Sequence, residues 1–219
     1  MNSQTKTILA VASWIGPVVL GTAIAAAQTT PSARAGEQPA KKTWDFEADE
    51  PGKIAKGFTN EVGRWVIAKE GDNHVLHQQA KNDDATFNVA LVEGTSYKDI
   101  DLSVKLKAVA GETDRGGGLV WRAKDAKNYY IARYNPLEDN YRVYKVEDGK
   151  RTMFKGEKVP GDEKWHTLRV TMVGPKITCY LDGKQYLEAE DATFSEAGKI
   201  GVWSKADAQS YFDDLTVSE

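Results

Sequence analysis

The chain reads as an all-β protein, a large antiparallel sandwich or barrel. Three observations predict this: apolar and polar residues alternate with period two in run after run, short turns rich in Gly, Pro, Asp and Asn separate the runs, and no window sustains a helical pattern. Roughly thirteen strands at the spacing of a large sandwich or barrel leave no room for a second core, so residues 43–219 are read as one domain.

Residues 1–27 stand apart. Lys6 is the one charge before Arg34, Ile8 to Leu20 is apolar, and Ala25-Ala26-Ala27 precedes Gln28, the order of a secretory signal peptide. An uncleaved anchor is the alternative, because Ile8 to Ala27 approaches the length that spans a bilayer. Cleavage predicts a secreted or periplasmic protein with no remaining membrane attachment. Residues 28–42, rich in Pro, Ala, Thr, Ser and Gly without periodicity, read as a flexible linker.

The domain opens at Thr43-Trp44-Asp45-Phe46-Glu47, and Asp49-Glu50-Pro51-Gly52 breaks that strand. Gly63 to Ile67, His74 to Gln79 and Phe87 to Leu91 follow as short strands. In the next run Ile100, Leu102, Val104, Leu106 and Val109 interleave with Asp101, Ser103, Lys105 and Lys107, so one face is apolar and the other wet. Gly117 to Arg122, Tyr129 to Asn135 and Tyr141 to Glu147 then form a three-stranded meander, reversing through residues 124–128 and 136–139. Arg151 to Val159 and Trp165 to Val173 continue the set. Ile177 to Leu181 and Lys184 to Glu190 pair across Asp182-Gly183, a strong hairpin signal, and Gly198 to Ser204 and Tyr211 to Val217 complete it.

Composition narrows the classes of partner. At 219 residues, 41% apolar and 28% charged, the chain is an ordinary globular one, and its net charge of -3 argues against a nucleic-acid partner. A monomer is expected. Cys179 is the single cysteine, so no intramolecular disulfide forms; its alternation with Ile177 and Leu181 marks it as a buried apolar residue. His74, His77 and His166 lack zinc spacing, and Gly116-Gly117-Gly118 lacks the Lys-Ser/Thr of a phosphate loop and reads as a bulge or close backbone approach at a sheet edge.

The meander is the unusual stretch. Trp121, Tyr129, Tyr130, Tyr134, Tyr141 and Tyr144 share it with Arg122, Arg133, Arg142 and Lys145, more than one buried face needs, which predicts an outer face that is polar and studded with aromatics. Tyr129, Arg133 and Asn135 share one face of their strand; Tyr141, Lys145 and Glu147 share a face of the next. Tyr130 and Tyr134 are assigned to the core.

The motif order WDFEADEPG, GRWVIAKEGDNHVLHQQ, GGGLVWRAKDAKNYYIARYN, KWHTLRVTMVGPKITCYLDGK and GKIGVWSKADAQSYFDDLTV resembles the concanavalin A-like jelly-roll superfamily. Within it the chain is similar to the secreted bacterial laminin-G-like group that includes 3-keto-disaccharide hydrolase domains and fructan-binding modules. The resemblance covers nearly all of residues 43–219 and implies two curved sheets whose concave face holds carbohydrate. Retaining glycosidases need two carboxylates about 5 Å apart, and the Glu-x-Asp-x-Glu type of strand motif that supplies them in laminarinase-type members is missing. The nearest pattern, Glu188-Ala189-Glu190-Asp191, sits at a strand end. A carbohydrate-binding module is therefore the first expectation, a glycoside-acting enzyme of the 3-keto-disaccharide hydrolase type the second, and a structural or adhesion module the third.

On that reading the candidate ligand-binding residues are Trp203, Arg122, Arg133, Tyr129, Tyr141 and Lys145. Ile200 and Val202 alternate with Trp203, so the indole is expected to face out, either to stack on a sugar ring or to cover a loop. Arg122 and Arg133 offer forked donors for hydroxyl pairs or a sugar carboxylate, or else form ion pairs with Glu147 or Asp125. Asp213 has the parity of Leu215 and Val217, which points a carboxylate at the core; a structural Ca²⁺ held with Asp45 and Glu47 would satisfy it, as would amide or cationic partners. No other cofactor is required.

Overall fold

A computed structural model describes residues 40–219; the leader, and the linker as far as residue 39, lie outside the described residues. Fifteen strands follow in chain order. They are β1 (Lys42–Trp44), β2 (Phe58–Val62), β3 (Trp65–Glu70), β4 (Asn73–Gln78), β5 (Phe87–Val92), β6 (Ile100–Ala110), β7 (Gly117–Asp125) and β8 (Asn128–Asn135). Then come β9 (Asn140–Glu147), β10 (Lys150–Lys158), β11 (Trp165–Val173), β12 (Lys176–Leu181), β13 (Lys184–Glu190), β14 (Lys199–Lys205) and β15 (Gln209–Ser218).

They form two antiparallel sheets. The first runs β13-β12-β11-β6-β15-β4-β3, with β1 beside β15, and the second runs β10-β9-β8-β7-β14-β5-β2. Together they make a two-sheet sandwich, the all-β class that the alternation predicts and the jelly-roll arrangement that the resemblance implies. The meander β7-β8-β9 is present, extended to β10, and β2 is a strand that sequence reading missed.

The filling between the sheets follows the period-two pattern. Ile100, Leu102, Val104 and Leu106 of β6 meet Trp121, Tyr130, Tyr134 and Tyr141 of the second sheet, and Cys179 lies among them, fully buried. Asp148-Gly149 and Asp182-Gly183 have positive φ at both residues (50° and 77°, 49° and 79°), the backbone a two-residue type I′ hairpin turn requires. The glycine run is a close approach, as expected, but β7 lies inside the sheet between β8 and β14 and not at its edge. A Cβ at Gly118 would sit 2.1 Å from the Ala132 carbonyl oxygen.

One expectation fails at a bulge. In β15 the register against β6 slips between Asp213 and Thr216, and Asp214 has φ 48°. The extra residue inverts the parity, so Phe212, Leu215 and Val217 all point into the filling. Asp213 instead shares the outer face of the first sheet with Lys105, its register partner.

Candidate functional site: the hollow face of the second sheet

The outer face of the second sheet is built by strand register. Opposite Arg133 stand Gly118 of β7 and Arg142 of β9, and opposite Gly118 stands Trp203 of β14. The next row carries Met153, Tyr144, Ile131 and Val120. This face is concave, and its own side chains fill the curve. Arg151, on edge strand β10, brings its guanidinium within 5.3 Å of the Phe87 ring on β5, although four strands separate them in the sheet order. In a flat sheet they would lie roughly 24 Å apart.

The curl packs rings and cations together. Trp203 Nε1 donates to Tyr129 Oη at 3.0 Å, and the Phe87 ring lies 5.4 Å from that of Trp203. Arg151 sits over Tyr144 at 4.5 Å and reaches Trp203 at 5.8 Å, a cation stacked on π faces. Val89, Leu91, Val120, Ile131 and Val146 fill the floor, forming an apolar cluster separate from the inter-sheet filling.

A charged network borders the rings. Arg133 Nη2 donates to Asp114 Oδ2 at 2.8 Å and its Nη1 to Glu138 Oε2 at 3.3 Å, while Asn135 donates to Asp114 Oδ1 at 3.1 Å. Lys205 lies 3.9 Å from Asp114 and pairs with Asp84. Asp207 holds the loop that carries Asp114 by accepting the amides of Glu112, Thr113 and Asp114. Burial pushes the Asp114 carboxyl above the usual carboxylate range, and Arg133 and Lys205 offset part of that. Beside this network, along the β9–β10 edge, opens a groove of ≈ 460 Å³ lined by Glu138, Asn140, Arg142, Met153 and Gly156 among others.

Hydrogen bonding on this face is incomplete. Among the described residues, Arg133 Nε, Tyr144 Oη and Arg151 Nη1 are buried atoms without a partner. Buried polar groups are normally paired, and an unpaired one costs about 1–3 kcal/mol.

The expected site residues divide between this face and others. Trp203 points away from Ile200 and Val202 as alternation requires, but it is 0% exposed, a correction to the solvent-side indole. The curl of the sheet brings Phe87 and Arg151 over its ring. Tyr129 and Arg133 lie on the same face, also buried. Arg122 does not. Its φ of 46° marks a break in the β7–β8 register, and its guanidinium ties loops at the sheet's end, donating to the carbonyls of Lys98 (2.7 Å), Phe194 (2.9 Å) and Gly174 (2.8 Å). Neither Glu147 nor Asp125 is the partner of Arg122 or Arg133: Asp99, 3.3 Å from Arg122, takes that place in the first pair, and Asp114 and Glu138 take it in the second.

Tyr141 stands opposite Tyr134 and so belongs to the filling, where its hydroxyl donates to the Tyr180 carbonyl at 3.3 Å. Lys145, opposite Tyr130, donates to Thr193 Oγ1 at 2.8 Å on the far side of the sheet. Sequence reading missed Phe87, Tyr144, Arg151 and Asp114. The four-residue connection 136–139 carried the missing signal: it sets Tyr134 against Tyr141, which places Arg142 and Tyr144 on the face of Arg133.

The carboxylates considered for calcium find other donors. Asp213 accepts Asn73 Nδ2 at 3.0 Å and the Asp214 amide at 2.7 Å, Glu47 accepts the His74 amide at 3.3 Å, and Asp45 accepts the Glu47 amide at 3.3 Å. Among the described residues no group of three or more His, Cys, Asp or Glu side chains is gathered to hold a metal ion.

This architecture has relatives. A family model described as the 3-keto-alpha-glucoside-1,2-lyase-like domain matches residues 42–218. The chain belongs to that family. Levanase of Bacillus subtilis (strain 168) is 30% identical over 166 residues, 73% of this chain and 22% of levanase, so the chain spans under a quarter of that relative's length. The carbohydrate binding module CBM66 from Bacillus subtilis superposes with a TM-score of 0.66 at 25% identity, covering 77% of this chain and 98% of the module. Apo Crh5 transglycosylase, at 12% identity and a TM-score of 0.57 over 82% of this chain and 84% of its own, shares the fold. In this 3-keto-alpha-glucoside-1,2-lyase-like domain, Asp114 is the buried carboxylate of the hollow face, and both its oxygens are engaged.

Proposed function

We propose that the domain binds a glycan at the mouth of the hollow face, over Phe87, Arg151 and Tyr144 and toward the groove between β9 and β10. The observation that carries this reading is the set of three buried polar atoms without a partner among the described residues, beside the rings of Tyr144, Phe87 and Trp203. Sugars present apolar C–H faces and hydroxyls together, and a ring flanked by unpaired donors matches both. The similarity to levanase and to the carbohydrate binding module supports it. Export as a secreted or periplasmic protein is part of the proposal, on the order of charge, apolar run and small residues in 1–27.

A glycan array followed by calorimetry tests it. Binding without turnover is the expected result, weakened by Tyr144→Ala and Arg151→Ala in proteins that remain folded. The family name directs a second arm: a 3-keto-α-glucoside is offered as substrate, and release of a keto-sugar that Asp114→Asn abolishes would replace the binding reading with a lyase. No binding and no turnover would leave a structural or adhesion module.

A further inference from the structure

We infer that the glycan is acidic, and that a carboxylate-bearing sugar of the uronate class docks between Arg151 and Arg133. This rests on the glycan-binding reading above and adds the chemistry of the ligand. The cations around the hollow are otherwise matched: Arg133 pairs with Asp114 and Glu138, Arg142 with Glu138, and Lys205 with Asp84. Arg151 is the exception. Among the described residues no carboxylate pairs with it, and its contacts are the rings of Tyr144, Phe87 and Trp203.

The unpaired atoms also have a direction. Arg151 Nη1 and Arg133 Nε can only donate, and Tyr144 Oη can donate or accept. A neutral sugar's hydroxyls donate as readily as they accept, so two donor-only atoms have no special use for one. A carboxylate only accepts, and its plane takes parallel N–H bonds from a guanidinium edge. Burial works against the charged form of Arg151 and Arg133 adds like-charge repulsion, which Tyr144, Asp114 and Glu138 offset only in part. An anion placed between the two guanidiniums would offset both effects, whereas a hydroxyl could accept a hydrogen bond but would leave the like-charge repulsion in place.

The full chain is titrated with glucuronate, galacturonate and mannuronate oligosaccharides, each beside its carboxyl-reduced counterpart, with dextran and dextran sulfate as controls. At least one uronate should bind about tenfold tighter than its reduced partner, a charge-assisted contact's worth. Arg151→Gln should bring the pair within about twofold, and Arg151→Lys should restore part of the preference. Circular dichroism confirms that each variant is folded. Equal or tighter binding of the reduced sugars, a uronate preference that survives in Arg151→Gln, or binding confined to the sulfated polymer would each overturn the assignment. The first of these would leave the glycan reading standing; silence from every sugar on the panel would remove both.

Discussion

Arg122 and Arg133 sit on neighbouring strands of one sheet, and each is almost wholly buried, yet they are held in opposite ways. Arg122 spends its donors on three backbone carbonyls and one flanking carboxylate, tying residues 98, 174 and 194 at the sheet's end. Arg133 faces the concave side, leans on two carboxylates and leaves Nε unpaired among the described residues. A guanidinium saturated by carbonyls has nothing left to offer a ligand. One that is charge-matched but short of acceptors still does, which separates a loop tie from a recognition surface where burial alone cannot.

The comparison can be broken at several points. The largest effect is expected from Asp114→Ala, which strands the buried Arg133 charge and should cost about 3–5 kcal/mol, read as a fall of roughly 10 °C in melting temperature. Arg122→Ala follows. It leaves three carbonyls without their donor and should cost about 2–3 kcal/mol, with glycan affinity per folded molecule unchanged in calorimetry. Lost affinity without lost stability would make Arg122 a ligand contact after all and collapse the distinction.

Tyr144→Phe reverses the pattern. Its hydroxyl has no partner to lose among the described residues, so stability should stay within about 0.5 kcal/mol. Sugar affinity should drop about fivefold, the worth of one hydrogen bond. Unaltered affinity with a clear loss of stability would show that Tyr144 Oη serves the fold.

Most of the fold was legible in the sequence because period-two alternation and Asp-Gly turns are local signals. Ile100 to Leu106 point inward as read, and Asp182-Gly183 makes the hairpin its type predicts. Parity was lost wherever a residue in the left-handed region slipped it: Arg122 in β7 and Asp214 in β15 each displaced a side chain that simple alternation had aimed elsewhere. The site was half legible. Alternation put Trp203 on the face opposite Ile200 and Val202, and Tyr129 and Arg133 on the face opposite Tyr130 and Tyr134, as the structure has them, because facing is a matter of phase; which face curls inward was not legible. Their burial depends on how sharply the sheet curls, and the partnership of Arg151 with Phe87 joins residues 64 positions apart across that curl. No local pattern encodes such a distance.

The smallest expected effect comes from His166 of β11, in the first sheet; its ring lies 5.0 Å from that of Tyr134 across the sandwich. Its Nδ1 lies 2.7 Å from Asp182 Oδ2 and its Nε2 2.8 Å from Asp162 Oδ1. Partial desolvation opposes the charge, but the two carboxylates hold the imidazolium above its ordinary range. A folded-state value above the unfolded one gives a contribution fully present below about pH 6.5 and lost as pH rises through the folded value. Asp162 is drawn down to about 2, chiefly by the Lys164 amide and then by His166, so its share holds above about pH 4 and disappears as pH falls through about 2. The melting-temperature gap between the natural protein and His166→Gln should therefore be widest between about pH 4 and 6.5, and should close on the alkaline side. The burial that lowers His77 to about 4 makes both proteins weaken in acid, but it is common to the two and cancels in the gap. Both carboxylates are well exposed, so the gap should correspond to under about 1 kcal/mol. A gap that widened with rising pH would mean that His166 is neutral in the fold, and that its two carboxylate contacts are geometry without charge.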